Sequence, residues 1–280
     1  MMACRLHRNA LTWRGWPWLG CLILLWLSGC AVTTPGGVPI DTRFEAKGQD
    51  SRALFLVLHY TVLDFPKSLK VLTQQEVSSH YLLSDESPPK IYRLVPDERR
   101  AWHAGPSYWK GNAMLNAGSI GIEIVNPGWV DTLQGRVYAP YPEEQINTLI
   151  LLVKDIVKRH QIPPERVLGH SDIAPTRKQD PGPLFPWKRL ADEGLVLWPD
   201  AQQVAAQRPA FEAELPSIDW FQRALNRHGF QLSVTSQWDD ATRSALSAFQ
   251  MKYRNSRYDG QPDAETAALL QVLTQPTKKP

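Results

Sequence analysis

The run Ala53-Leu54-Phe55-Leu56-Val57-Leu58, leading into His59-Tyr60-Thr61, decides the architecture. Six apolar residues in a row predict a central strand covered on both faces, because a strand with one wet face would alternate. Further strands are predicted at Ser79–Leu83 and Ile91–Val95. In the stretch Ser119–Val125, Ile120, Ile122 and Ile124 point one way, while Gly121, Glu123 and Val125 point the other. A helix is predicted from Pro142 to His160. Pro142, Glu143 and Glu144 suit a first turn, and Lys158, Arg159 and His160 suit a last one. Ile146, Leu149, Ile150, Val153, Ile156 and Val157 follow helical spacing and give it one apolar face. A short strand, Arg166-Val167-Leu168-Gly169, then delivers His170. Strands interleaved with helices in this way indicate an α/β domain.

The chain has 280 residues, room for one medium domain and a small one. Its 43% apolar and 21% charged content suits a packed core. The main domain is expected over 51–198, followed by a boundary after Trp198-Pro199. Residues 199–216, rich in Ala and Gln, read as a linker or a loosely packed helix. Residues 217–275 read as three short helices, near the size limit for independent folding.

The formal charge of +3 is unevenly placed. Three of the 31 basic residues, and none of the 28 acidic ones, lie in 1–29, so the rest of the chain is balanced. A neutral body gives no electrostatic case for nucleic acid, and that partner is excluded. Residues 1–29 read as a secretory signal: Arg5, Arg8 and Arg14 precede an apolar run, Trp16–Leu27, too short for a comfortable membrane span. The run ends in Leu27-Ser28-Gly29-Cys30, which resembles the bacterial lipobox and implies lipidation of Cys30. Residues 30–50, rich in Gly, Pro and Thr, then form a tether from the membrane. Ala31 after the lipid site, rather than Asp, favours the outer membrane, by similarity to enterobacterial lipoproteins, with the chain facing the periplasm. The other cysteines, Cys4 and Cys21, fall in the signal, so the mature chain has no disulfide within it.

His59 and His170, each expected just after an apolar strand, and Asp180 in the loop Thr176–Pro183 are candidate metal ligands. Zinc accepts imidazole nitrogen and carboxylate oxygen, and a catalytic site leaves a fourth position for water. Residue chemistry alone leaves the alternative open for each: a hydrogen-bonded polar residue at the core edge. Glu123, opposite the isoleucine face, is a candidate general base. Lys178, two residues before Asp180, is a candidate oxyanion stabiliser or a solvated loop lysine. His80, Tyr81 and His103 read equally as cleft-lining or structural residues. Arg177 reads as a carboxylate-gripping or surface residue.

Five runs occur in order: Val57-Leu58-His59-Tyr60-Thr61, Ser79-His80-Tyr81, Ala101-Trp102-His103-Ala104-Gly105, Ser119-Ile120-Gly121-Ile122-Glu123, and Gly169-His170-Ser171-Asp172-Ile173-Ala174-Pro175 through Lys178-Gln179-Asp180-Pro181-Gly182. Over residues 50–190 the chain thereby resembles the type-2 zinc N-acetylmuramoyl-L-alanine amidases. The resemblance implies a mixed central sheet flanked by helices, and Zn2+ held by His59, His170 and Asp180. It also implies Glu123 and Lys178 as catalytic residues, and hydrolysis of the amide between the lactyl group of N-acetylmuramic acid and L-alanine in peptidoglycan. Some relatives carry Cys at the third ligand position; here it is Asp180. The C-terminal helices resemble a peptidoglycan-binding module through Phe221-Gln222-Arg223-Ala224-Leu225, Ala248-Phe249-Gln250 and Tyr258–Thr266, departing from its pattern around Ser236–Asp240. A monomer is expected, with a muropeptide as partner and the membrane reached through the lipid.

Overall fold

The computed structural model describes residues 31–275. The expected signal segment, 1–29, and the lipidation site at Cys30 lie outside the described residues. Two compact units divide the chain at Gln49 and Asp50. In the first, β1 (Ala31–Thr33) pairs antiparallel with β2 (Pro39–Asp41). A tether is expected over 30–50 from the sequence; residues 31–41 of it form this hairpin, and 42–50 carry neither strand nor helix. Its turn closes through the Gly37 N–H on Thr34 O at 2.8 Å, with Gly37 at φ +81°, a conformation glycine adopts freely.

The second unit begins with β3 (Phe55–Tyr60), α1 (Phe65–Gln74), β4 (Tyr81–Leu83) and β5 (Ile91–Arg93). Next come α2 (Leu115–Gly118), β6 (Ser119–Ile124), β7 (Trp129–Thr132), β8 (Gly135–Tyr138) and α3 (Glu143–His160). A 3-10 turn (Pro164–Arg166) leads into β9 (Val167–Gly169), α4 (His170–Ile173) and α5 (Trp187–Asp192). The chain closes with α6 (Ala201–Ala213), α7 (Ile218–His228), α8 (Asp240–Tyr253) and α9 (Ala264–Thr274). The sheet order is β5-β4-β6-β3-β9. β3 is parallel to both β6 and β9, β6 is parallel to β4, and β5 runs antiparallel at the edge. The fold is thus α/β with a mixed, mostly parallel sheet.

Every residue of β3 is buried, as its unbroken apolar run requires. On one face Leu56 and Leu58 join Ile120, Ile122, Ile124 and the apolar stripe of α3 in a single cluster. On the other face Phe55, Val57 and Leu168 belong to one cluster with Phe221, Phe249 and Leu270 of the C-terminal helices. Those helices therefore cover the sheet. They are not a free-standing domain behind a linker, and a small module gains in this way the burial that its own size denies it. Trp109, from the loop before α2, is packed against the end of α7, where a Cβ on Gly229 would stand 2.5 Å from the indole. Only glycine admits that approach.

One open reading is decided and two elements are new. Of the two readings for 199–216, the loosely packed helix is found, over 201–213, capped by the Asp200 side chain accepting the Gln203 N–H at 2.8 Å. The sequence leaves it open because none of its residues is fully buried; Val204 and Phe211 touch the core only in part. Helix α1 is not anticipated, although Asp64 caps it by accepting the Lys67 N–H at 2.9 Å and Pro66 sits in its first turn. The exposed hairpin β7–β8 is not anticipated either. Its residues are mostly solvent-facing, so no burial pattern marks them.

Removal of residues 217–275 would uncover Phe55, Val57 and Leu168. The full chain from Asp50 onward is expected to unfold in urea in one transition, and the truncated chain at a clearly lower midpoint. Equal midpoints would show that the sheet does not depend on these helices.

Candidate active site

Three adjacent parallel strands deliver the site at their carboxyl ends, where α/β sheets bind ligands. His59 lies inside β3, one residue from its end, rather than just after it as the sequence suggests. Glu123 of β6 is its register partner, so both side chains emerge on the same side of the sheet. His170 is the first residue of α4, directly after β9. Asp180 returns from the loop beyond α4, held by the Ser171 N–H donating to Asp180 O at 2.9 Å.

These elements bring three ligand atoms together. His59 Nδ1 and His170 Nδ1 are 2.9 Å apart, and each is 3.0 Å from Asp180 Oδ2. All three residues are buried. The partners of the outer ring nitrogens fix the state of the inner ones. His170 Nε2 is 3.1 Å from Ala104 O; a carbonyl only accepts, so Nε2 carries the proton and Nδ1 of a neutral ring is a bare lone pair. For His59 the same result comes through a relay. Ser119 Oγ donates its hydrogen to Leu115 O, and therefore accepts from His103 Nε2 at 3.1 Å. His103 Nδ1 is then bare and accepts from His59 Nε2 at 3.0 Å, which leaves His59 Nδ1 bare as well. The donor set is thus two nitrogen lone pairs and a carboxylate oxygen in mutual contact. Such a set repels itself unless a cation sits among its members, and its chemistry fits a divalent metal.

The electrostatics agree. Burial, reinforced by the neighbouring His170, lowers His59 to about 4, and burial holds His103 well below the ordinary histidine range. Both rings are neutral at pH 7, as ligation and relay require. Burial pushes the Asp180 carboxyl up and its two histidine neighbours bring it down, the net shift being downward. Burial also raises Glu123 to about 8, with Asp180 adding to the rise and Lys178 opposing it. The Glu123 Oε2 atom is buried without a hydrogen-bond partner among the described residues. A cation among the ligands would act on Glu123 in the opposite sense to Asp180.

Around this centre is a cleft of about 320 Å³ that Glu123, Lys178, Trp102 and Trp129 help to line. Trp102 is half exposed and carries the Arg100 guanidinium 4.0 Å from its ring centroid. The Lys178 side chain lines the cleft and makes no hydrogen bond among the described residues. Arg177 is committed elsewhere: its Nη2 donates to Ala104 O at 3.0 Å and Pro106 O at 2.8 Å, so it braces the carbonyl that orients His170. Tyr81 donates to Asp97 at 2.8 Å within a network with Arg159 and His160, a structural role. His80 Nδ1 accepts the Gly121 N–H at 2.9 Å and supports β6.

The residue that the sequence undervalues is His103. Its ring lies over Gly121, where a Cβ would come within 2.5 Å of it, so a glycine in the middle of a central strand is the available signal. Asn116 Oδ1 fixes the same segment by accepting the N–H groups of His103 and Ala104 at 3.0 and 2.7 Å.

Two family patterns match the chain: N-acetylmuramoyl-L-alanine amidase over residues 49–183, and putative peptidoglycan binding domain over residues 214–270. The N-acetylmuramoyl-L-alanine amidase AmiD of Escherichia coli K12 is 42% identical over 269 residues, spanning 91% of this chain and 96% of that protein. The solved complex of the E. coli AmiD with anhydro-N-acetylmuramic acid-L-Ala-D-gamma-Glu-L-Lys superposes with a TM-score of 0.76 at 41% identity, covering 87% of this chain and 96% of that one. AmpDh3 from Pseudomonas aeruginosa gives a TM-score of 0.76 at 41% identity, covering 83% and 95%.

Gly121→Ala drives a methyl into the His103 ring and is expected to cost about 1–3 kcal/mol, the usual range for overpacking a filled core. Urea unfolding of the variant checks this. A stability equal to that of the unaltered chain would remove the close packing of His103 on β6.

Proposed function

We infer the chemistry of this chain from the family to which it belongs, the N-acetylmuramoyl-L-alanine amidases, and from the buried His59–His170–Asp180 triangle beside Glu123. The chain is an amidase of peptidoglycan, hydrolysing the bond between the lactyl group of N-acetylmuramic acid and L-alanine. The observation that carries the mechanism is the meeting of two bare imidazole nitrogens and a carboxylate oxygen within 3.0 Å.

His59, His170 and Asp180 would hold zinc, whose borderline softness suits nitrogen and oxygen together. When bound, zinc supplies Lewis acidity, polarising an amide carbonyl and lowering the pKa of water. The remaining steps fall to side chains of this chain. Glu123, with its free buried Oε2, takes a proton from the water whose oxygen attacks the carbonyl carbon. As the carbon–nitrogen bond breaks, Glu123 returns that proton to the departing L-alanine nitrogen. The Lys178 ammonium at the cleft wall stabilises the negative charge that develops on the carbonyl oxygen. Trp102 and Trp129 offer apolar faces to sugar and lactyl groups and reduce access of bulk water. The anhydro-muramyl tripeptide held by the E. coli relative supports a muropeptide as the substrate here.

Anchoring completes the reading. The lipobox-like Leu27-Ser28-Gly29-Cys30 supports a lipoprotein, exported by residues 1–29, lipidated at Cys30 and held in the outer membrane facing the periplasm. The match over 214–270 supports contact of the C-terminal helices with the wall.

His170→Ala is expected to lose most bound zinc and nearly all release of stem peptide from purified wall. Full zinc occupancy in elemental analysis would sink the ligand assignment. Glu123→Gln is expected to keep its zinc while kcat falls about 10²–10⁴-fold, the usual contribution of a general base; an unchanged kcat removes Glu123 from the reaction. In cells, Cys30→Ala is expected to leave the membrane fraction, and a variant that still sediments with membranes refutes the lipid anchor.

A further inference from the structure

We propose that Lys252, near the end of α8, is a positioning residue for the active site, bracing the segment that presents His170 through a buried ion pair with Asp172. The inference rests on the reading of His170 as a metal ligand. Lys252 Nζ donates to Asp172 Oδ2 at 2.7 Å, and both side chains are all but inaccessible to solvent, 3% and 1% exposed. The same ammonium donates to Val167 O at 3.2 Å and sits 4.4 Å from the centroid of the Trp187 ring. Asp172 Oδ2 in turn accepts the Gly169 N–H at 2.8 Å.

These contacts converge on six residues of chain. Val167 opens β9 and is paired with Leu56 of β3, the strand that carries His59. Gly169 immediately precedes His170, and Asp172 lies two residues beyond it. Lys252 therefore grips both ends of the short turn from β9 into α4, while His170 hangs from its middle. The far end of the imidazole is fixed by Ala104 O, at 3.1 Å from Nε2. The backbone end has Lys252 and Asp172 as its brace. A buried ion pair is a poor device for bulk stability, because desolvation offsets most of its attraction. Its directional value is greater: two acceptors, Asp172 Oδ2 and Val167 O, and the Trp187 ring face fix where the ammonium sits. The C-terminal module, whatever it binds outside, thus supplies part of the support of the catalytic centre.

The test is zinc affinity, measured by chelator competition on the purified chain and three variants. Lys252→Met keeps the length of the stem and removes the charge. Its affinity is expected to fall about 10- to 100-fold, as when the outer support of a metal ligand is lost. Lys252→Arg keeps a cation and is expected to retain most of the affinity. Leu270→Ala, a cavity in α9 within the same apolar cluster, lowers stability while leaving every polar contact of Lys252 in place, and its affinity is expected to stay at the unaltered level. Affinity of folded Lys252→Met equal to that of the unaltered chain overturns the inference. So does an equal loss in Leu270→Ala, which would assign the effect to general loosening. If Lys252→Met does not fold, the double variant Lys252→Met/Asp172→Asn, which leaves no uncompensated buried ion, carries the same comparison with the same outcomes. Failure of the unaltered chain to bind zinc is a distinct result, and it removes the metal reading itself.

Discussion

The parallel register of β3 between β6 and β9 is the constraint on which the rest of the molecule depends. It sets His59 opposite Glu123 and Leu58 opposite Gly169, so that three strand ends open on one small volume. Side chains alternate along a strand, and a slip of one residue would send His59 into the opposite layer and Leu58 into the site. Burial on both faces opposes such a slip. Leu56 and Leu58 are committed to the layer beneath α3, and Phe55 and Val57 to the layer beneath the C-terminal helices.

Burial does a second task at the same place. It makes protonation of His59 and His103 unfavourable, which keeps both rings neutral and lets a hydrogen-bond relay choose their tautomers. The relay runs from Leu115 O through Ser119 and His103 to His59, and it ends in a lone pair aimed at Asp180. Burial also raises Glu123 and leaves its Oε2 without a partner among the described residues, an arrangement that costs stability. Asp180 faces both histidines, and the net shift of its carboxyl is downward despite its burial, so it supplies the anionic member of the donor set.

The C-terminal helices belong to this scheme. Their own core is small, and they complete it with one face of the catalytic sheet. The junction is specific in shape, with Trp109 seated on Gly229 and the Lys110 N–H donating to Gly229 O at 3.0 Å. It is also specific in charge, with Lys252 and Asp172 paired out of water. A module joined in this way supports the segment that presents His170 through packed atoms instead of a flexible link.

Much of this is legible from the chain alone. The unbroken apolar run before His59 announces a central strand, the isoleucine alternation of β6 places Glu123 on the face opposite the isoleucines, and the stripe from Ile146 to Val157 announces α3. These are signals of local periodicity, and local periodicity is written in neighbouring residues. The motif order through Gly169-His170 and Asp180 points to the family that the comparisons with known proteins support. Other features are out of reach for an equally physical reason. The part played by His103, the Ala104 carbonyl, the commitment of Arg177 and the reach of Lys252 are contacts between residues far apart in sequence, and no pattern within a short window encodes them. Helix α6 is one of two readings open for 199–216, because its residues are buried only in part and leave no clear apolar pattern. The sequence by itself thus determined the central strands, helix α3 and which residue types could bind a metal. Only the tertiary structure decided which nitrogen of each histidine faces the centre, because a tautomer is selected by the hydrogen-bond partner on the other side of the ring.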